Sequence, residues 1–317
     1  MKNILPLLLA LIAMTSATSC CSTTNETKTP DTLKVMAWNI WHEGQHKAHG
    51  KTSCDATLEI MKTSQADILT IVETYGAANK IADKLGYYHR LLSSNLSIYS
   101  KYPITKTITF PDSISTFNFG GVELNVNGQK MRVFATWLHY IPDARRVPTN
   151  LTEAEIIAWE NTGSRDEEAK KILKCIAPFL AQTDSIPVIM AGDFNNHSHL
   201  DWTEETKNMY HHGGAVVNWT VSNDMAKAGF KDSYRIANPK PEELLGTSWL
   251  HPNEPTTQPN RFDRIDYIYY KGQALNAIQS EAVNAIDGEM IDFKGKNLMY
   301  GPDHGLVLTT FSYNPAK

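Results

Sequence analysis

The run Pro187-Val188-Ile189-Met190-Ala191 carries no polar side chain and stops at Gly192-Asp193. A short apolar stretch bounded by turn-forming residues fits a strand buried on both faces, at the centre of a covered sheet. The chain must therefore supply layers above and below that strand. Leu33-Lys34-Val35-Met36-Ala37-Trp38 and Ile68–Val72 are further short strands, and residues 87–92 and 96–100 read as a pair. Residues 121–126 and 129–138 flank Asn127-Gly128, a strong local hairpin signature. Residues 264–270 and 306–311 supply late strands. Helices are predicted over 57–64, over 77–85 with Gly86 as the stop, over 153–160 and over 165–180. In the last, Ala169, Ile172, Leu173 and Ile176 recur on one face. Strands outnumber helices, and hairpins mix with crossovers. The expected class is α/β (α+β), two packed sheets with helices outside them. No repeat of fixed period and no composition break appears after residue 31, so one domain is expected over 32–317.

A chain of 317 residues, 42% hydrophobic, can bury a core without disulfide or metal staples. Its formal net charge of -4 supplies no overall basic field for attracting nucleic acid. At the N-terminus, Lys2 precedes an apolar run from Ile4 to Met14 broken only by Pro6. That run is too short for a permanent bilayer span and reads as a secretory signal. The small residues from Ser16 to Ser19 lead into Cys20 and Cys21, which resembles a bacterial lipoprotein processing site with Cys20 as the lipidated residue. Ala17 stands where leucine is usual. The expectation is a lipoprotein-type signal over 1–20 and a polar, Thr-rich tether over 21–31. The protein would then be exported and lipid-anchored in a bacterial cell envelope, in the periplasm or at the cell surface. After the signal only Cys54 and Cys175 remain, with no CxxC partner or zinc-ligand pattern. They read either as one disulfide or as two small buried hydrophobes.

Polar residues recur at the ends of the apolar strands. Asn39 follows Val35 to Trp38, Glu73 follows Ile68–Val72, and Asp193 and Asn195 follow Val188 to Ala191. Asp266 is read inside Arg264-Ile265-Asp266-Tyr267-Ile268, and Asp303 and His304 precede Leu306. Any one of these alone is an ordinary turn residue. Together they place oxygen donors and one imidazole where strand ends converge on a sheet edge. Such a set suits Mg²⁺ or Mn²⁺, with Ca²⁺ also accommodated, rather than zinc.

The segments Ala37-Trp38-Asn39, Val72-Glu73-Thr74, Ala191-Gly192-Asp193-Phe194-Asn195, Arg264-Ile265-Asp266-Tyr267 and Pro302-Asp303-His304 resemble the endonuclease/exonuclease/phosphatase superfamily in order and approximate spacing. The resemblance spans about residues 33–312 and implies a four-layered sandwich with two mostly antiparallel sheets between helices. It also implies divalent-metal-dependent hydrolysis of phosphate esters. Glu73, assisted by Asn39 and Asp303, would hold the metal, and Asp193 and Asn195 would orient the nucleophile. His304, oriented by Asp266, would act as general base or stabilise the pentavalent state; a competing version gives the base role to Asp193. Arg165 resembles the family's helix-opening arginine, bracing the site. One departure stands out: Thr136-Trp137-Leu138 occupies the place of the family's Thr-His-Leu, and His139 lies two residues on as a candidate substitute. Expected substrates are small or lipid-linked phosphate esters acted on by a monomer, with a secreted nuclease or an inactive surface binding protein as alternatives. His42, His46, His49, His197, His199, His211 and His212 read as loop residues or as a second metal site. Trp41 and Trp249 read as rim packing or as stacking surfaces for substrate. Asp232 reads as a cap or as a family site residue.

Overall fold

The protein is described by a computed structural model over residues 31–44, 54–250, 262–285 and 288–314. The signal segment, residues 21–30 of the tether, His46 and His49 lie outside the described residues, while Asp31, read as the tether's last residue, opens the first strand. Two six-stranded sheets dominate. The first runs, in spatial order, Leu275–Val283, Leu306–Tyr313, Asp31–Asn39, Ile68–Val72, Leu96–Ser100 and Tyr88–Leu91. The second runs Ile104–Ile108, Phe119–Val126, Gln129–Trp137, Val188–Asp193, Asp266–Lys271 and Lys231–Asp232. Each sheet has one parallel pair at its centre, Asp31–Asn39 with Ile68–Val72 and Gln129–Trp137 with Val188–Asp193; its other pairings are antiparallel. A parallel pair needs a crossover. The helices Asp55–Ser64 and Arg165–Leu180 lie on those two crossovers.

Alternation along the strands sorts side chains into layers. Val35 and Ala37 join Ala135, Ile189, Ala191 and Ile268 in the core between the sheets. Met36 and Trp38, one residue out of phase, pack with Leu58, Met61 and Ile81 from the helices Asp55–Ser64 and Ala78–Leu85. On the other side, Ala169, Ile172 and Ile176 of Arg165–Leu180 and Val221 and Met225 of Thr220–Lys227 cover Phe134, Val188 and Met190. The layer order is helix, sheet, sheet, helix. Val188–Asp193 is buried at every position, as the apolar run Val188 to Ala191 requires.

Asn127 and Gly128 both take positive φ, 53° and 90°, the geometry a two-residue hairpin turn needs. Asp266 opens its strand instead of sitting inside it. The reason lies outside the segment: the backbone N–H groups of Ile265 and Asp266 both donate to Ser248 Oγ. Cys54 and Cys175 are free and lie in the two opposite helical layers, so the disulfide reading is withdrawn. The strands Ile104–Ile108 and Leu275–Val283 carry too many exposed positions to stand out as apolar runs. The histidine-rich loop after Val188–Asp193 is folded on a satellite core of Ile156, Trp202, Val217 and Trp219. His197 and His212 pack there, 4.8 Å from the Trp219 ring and 4.0 Å from the Trp202 ring.

Candidate active site

The interior faces of both sheets reach the same end of the sandwich with polar residues in place of apolar ones. Asn39 continues the face of Val35 and Ala37, Asp193 that of Ile189 and Ala191, and Asp266 that of Ile268 and Tyr270. Asp266 and Asp193 are directly paired across neighbouring antiparallel strands. Burial of these groups is nearly complete, with Asn39, Asp193 and Asp266 each 1% exposed and His304 6%.

Asn39 bridges the two sheets. Its Nδ2 donates to Glu73 Oε1 at 3.2 Å and to Asp193 Oδ2 at 3.1 Å, while its Oδ1 accepts from the Trp41 N–H. Asp193 also accepts from the backbone N–H of Asn195 at 2.8 Å and from Asn195 Nδ2 at 3.2 Å. His304 Nδ1 lies 2.9 Å from Asp266 Oδ2, and Ser248 Oγ donates to that same oxygen at 2.7 Å. Donation from Nδ1 to Asp266 turns His304 Nε2 toward Asn39 Nδ2 and Asp193 Oδ2, at 3.5 and 3.8 Å. Trp38 Nε1 holds the His304 carbonyl, and the Trp249 ring stacks on the imidazole at 5.7 Å.

Backbone constraints aim these groups. Glu73 and Asn195 adopt φ of 61° and 49°, strained values for side chains with a Cβ. Glu73 is held by its N–H donating to Asn95 Oδ1, and by His42 N–H donating to Glu73 Oε2. Asn195 is held by the Arg165 guanidinium, which donates to the Asn195 carbonyl, to the Pro142 carbonyl and to both oxygens of buried Glu160. Gly192 has φ 144°, and a Cβ there would sit 2.1 Å from the Thr136 carbonyl oxygen. Only glycine lets Val188–Asp193 lie this close to its parallel neighbour.

The electrostatics follow from crowding. Burial, with the charge of Asp266 added, pushes the Asp193 carboxyl up to about 7. Burial would lower His304, but Asp266 and Asp193 outweigh it and push the imidazole up to about 10. Burial pushes Asp303 up against the pull of His304, and the charge of Glu73 adds to that push. Asp303 Oδ1 is buried and has no hydrogen-bond partner among the described residues. Mutually repelling oxygen donors with a bare buried carboxylate oxygen fit a hard divalent cation. Among the described residues, Asp193, Asp266 and His304 each bring one ligand atom within 4.8 Å of the others, while Glu73 and Asp303 add oxygen donors beside them.

Of the sequence candidates, Asn39, Glu73, Asp193, Asn195, Asp266 and His304 are joined by direct hydrogen bonds or close approach, with Asp303 adjoining in sequence and charge. His139 stands apart. Its N–H donates to Glu168, its Nδ1 accepts from the Ile141 N–H, and its ring faces Trp137 and Tyr140. Asp232 caps Ser233–Ala237 and pairs with Arg264 at 2.7 Å, which favours its capping reading. Ser248 and Asn95 were invisible in the sequence, because a lone Ser or Asn in a loop carries no local pattern.

The profile of the Endonuclease/Exonuclease/phosphatase family matches residues 36–293. A relative from Caenorhabditis elegans, the uncharacterized protein F14F9.5, is 25% identical over 320 residues, covering 97% of this chain and 100% of the relative. Among solved structures, the fold is similar to C. elegans TDP2 (17% identity, 89% of this chain, 74% of that one, TM-score 0.58). It is also similar to D. rerio TDP2 complexed with single-strand DNA product (13% identity, 89% and 99% covered, TM-score 0.58). A family protein of Bacteroides thetaiotaomicron aligns at 15% identity over 90% and 99% of the two chains, with a TM-score of 0.55. With its four-layered sandwich, its buried acidic cluster and a family match over most of its length, this chain belongs to the endonuclease/exonuclease/phosphatase family.

Proposed function

We propose that the protein hydrolyses phosphate esters with a divalent metal, Mg²⁺ or Mn²⁺, outside the cytoplasm. The observation that carries this reading is the continuous polar chain from Glu73 through Asn39 and Asp193 to the His304–Asp266 pair, crossing from one sheet to the other. Glu73, Asn39 and Asp303 would hold the metal, which supplies Lewis-acid neutralisation of charge at phosphorus. Asp193, fixed by three N–H donors, orients the attacking water and takes its proton. His304, with its imidazole pushed up to about 10 and its Nδ1–H held by Asp266, presents a protonated Nε2 that stabilises the phosphoryl oxygens. Asn195 holds Asp193 and faces the same space. Water adds to phosphorus as Asp193 takes its proton, the ester P–O bond breaks, and the leaving oxygen takes a proton from solvent.

The test is a phosphoester panel on the purified mature chain, with chelator and with Mg²⁺ or Mn²⁺ added back. Activity should need the metal, and His304→Ala should lower kcat about 10²- to 10⁴-fold. A panel without metal-dependent turnover sinks the reading. A nuclease is the second reading, prompted by the fold likeness to a TDP2 bound to single-strand DNA product. Loss of plasmid or RNA integrity that disappears in His304→Ala would favour it over small esters. Export and lipid anchoring are a separate proposal resting on the first twenty residues. Cys20→Ser should move the protein from the membrane to the soluble envelope fraction, and an unchanged membrane fraction would remove the anchor.

A further inference from the structure

Trp137 is where this chain leaves the family pattern, and its position is informative. Gln129–Trp137 runs parallel to Val188–Asp193 in a register that pairs Trp137 with Asp193. Paired residues on neighbouring strands share a face. Two residues earlier, Ala135 and Ala191 both lie in the core between the sheets. Trp137 therefore shares the cleft side with Asp193. Around its indole stand Phe117, edge-on at 5.7 Å, Tyr140 at 6.2 Å and His139 at 6.4 Å. Phe117 is 38% exposed and Tyr140 54%.

Hydrogen bonds tie this aromatic group to both halves of the site. Asn95 accepts from the Glu73 N–H and donates to the Phe117 carbonyl at 3.1 Å. Asn195 Nδ2 donates to the Leu138 carbonyl, next to Trp137, at 2.9 Å. Several polar atoms beside the rings are already engaged. Asn118 Nδ2 donates to the Trp137 carbonyl, His139 Nδ1 accepts from Ile141, and Glu168 accepts from His139 N–H and Ser164 Oγ. A ligand arriving here meets clustered ring surfaces, two of them solvent-exposed. Such a surface favours a planar ring over a polyol.

Resting on the phosphoesterase reading above, we propose that Phe117, Trp137 and Tyr140 form an aromatic subsite that stacks a planar ring carried by the phosphate ester. The substrate class is then an aryl or nucleoside ester. Stacking of a base on protein rings typically changes affinity by about tenfold to a hundredfold.

The test compares thymidine 5′-phosphate, phenyl phosphate and glycerol 3-phosphate as competitive inhibitors of the metal-loaded enzyme, with direct binding by calorimetry. Both ring-bearing ligands should bind at least about tenfold tighter than glycerol 3-phosphate, and a preference between those two separates nucleoside from aryl. Trp137→Ala disturbs a strand end, so the exposed positions carry the test: Tyr140→Ala and Phe117→Ala should bring the affinity ratio toward one. Equal affinities with turnover retained, or variants that keep the full ratio, overturn the subsite and leave the phosphoesterase reading standing. No turnover of any ester and no binding of the three ligands overturns both.

Discussion

The parallel pair Asp31–Asn39 and Ile68–Val72 and the parallel pair Gln129–Trp137 and Val188–Asp193 are the same construction used twice, each flanked by antiparallel strands. Their ends diverge in chemistry. In the first sheet the leading strand ends in Asn39, and Glu73 follows the second. In the second sheet the leading strand ends in Trp137 and the second in Asp193. The antiparallel strand beside the second member begins just after Asn95 in one sheet and at Asp266 in the other. One edge thus offers an amide and a carboxylate suited to a cation. The other offers a paired aspartate and an aromatic surface. The shared scaffold positions side chains; what they do depends on identities at equivalent strand ends.

The halves differ as much in bracing. Among the described residues, ion pairs with both side chains at most 5% exposed all belong to the segments around the second sheet: Arg165–Glu160, Arg235–Asp201, Arg264–Asp201 and Arg264–Asp232. Those segments include the long loops after Trp137 and Asp193, which lack a regular sheet or helix layer of their own. The first sheet's charged pairs are partly solvated, as in Lys62–Glu59 and Lys80–Asp55.

The largest expected effect separates the two edges kinetically. Asp193→Asn should lower kcat by about 10³-fold at saturating metal, the scale of a lost base. Glu73→Gln should instead raise the metal concentration needed for half-maximal rate. Rate measured against metal concentration distinguishes them, and an identical response in both variants would erase the division of labour.

Next comes the bracing. Glu160→Ala leaves Arg165, 1% exposed, without its carboxylate partner. Breaking a buried pair in this way costs about 3–5 kcal/mol, readable as a lower urea midpoint. Lys80→Ala, at an exposed pair in the first half, should change stability by less than about 1 kcal/mol. Comparable losses from both variants would break the contrast.

Much of this frame was legible in the sequence. An unbroken apolar run marked the central strand, and Asn127-Gly128 marked the hairpin, because burial on two faces and positive φ each demand particular residues. Residues at strand ends were legible through the motifs they share with a family. Asp266 was placed too deep in its strand because Ser248, sixteen residues before Arg264, supplies the hydroxyl that replaces the ladder there. Two of the edge strands, Ile104–Ile108 and Leu275–Val283, leave no clear run in the sequence for a related reason. Leu275–Val283 is half solvated and carries a bulge between Ala277 and Gln279, which breaks the period-2 pattern. The pairing of Asp201 with two arginines is likewise a tertiary event with no local trace.

That pairing gives a pH prediction confined to the second half. Burial would raise the Asp201 carboxyl, but Arg264 and Arg235 outweigh it and hold it below the ordinary aspartate range. A lowered folded-state value means the unfolded chain binds the proton first as pH falls. The stabilisation is complete above the ordinary value near about 4 and is lost as pH drops through the folded value. Unfolding free energy should therefore fall steeply below about pH 4. Asp201→Asn should flatten that acid limb while lowering stability at pH 7. An unchanged acid limb would remove Asp201 from the account.

The smallest effect tests whether the ends of the sandwich are separable. Gly128 lies at the turn of Phe119–Val126 and Gln129–Trp137, while Trp137, at the far end of the second strand, borders the site. Its φ is 90°, and a Cβ there would meet nothing within 4 Å. Gly128→Ala therefore carries backbone strain without a clash, about 1–2 kcal/mol. Strand register is fixed elsewhere by Val122, Leu124, Met131 and Val133, all buried between the sheets. The melting temperature should fall by a few degrees, with kcat/KM and metal dependence unchanged. A change in kcat/KM as large as the stability change would mean that strain at the turn reaches Trp137 along the strand, and the hairpin would then have to be counted as part of the catalytic edge.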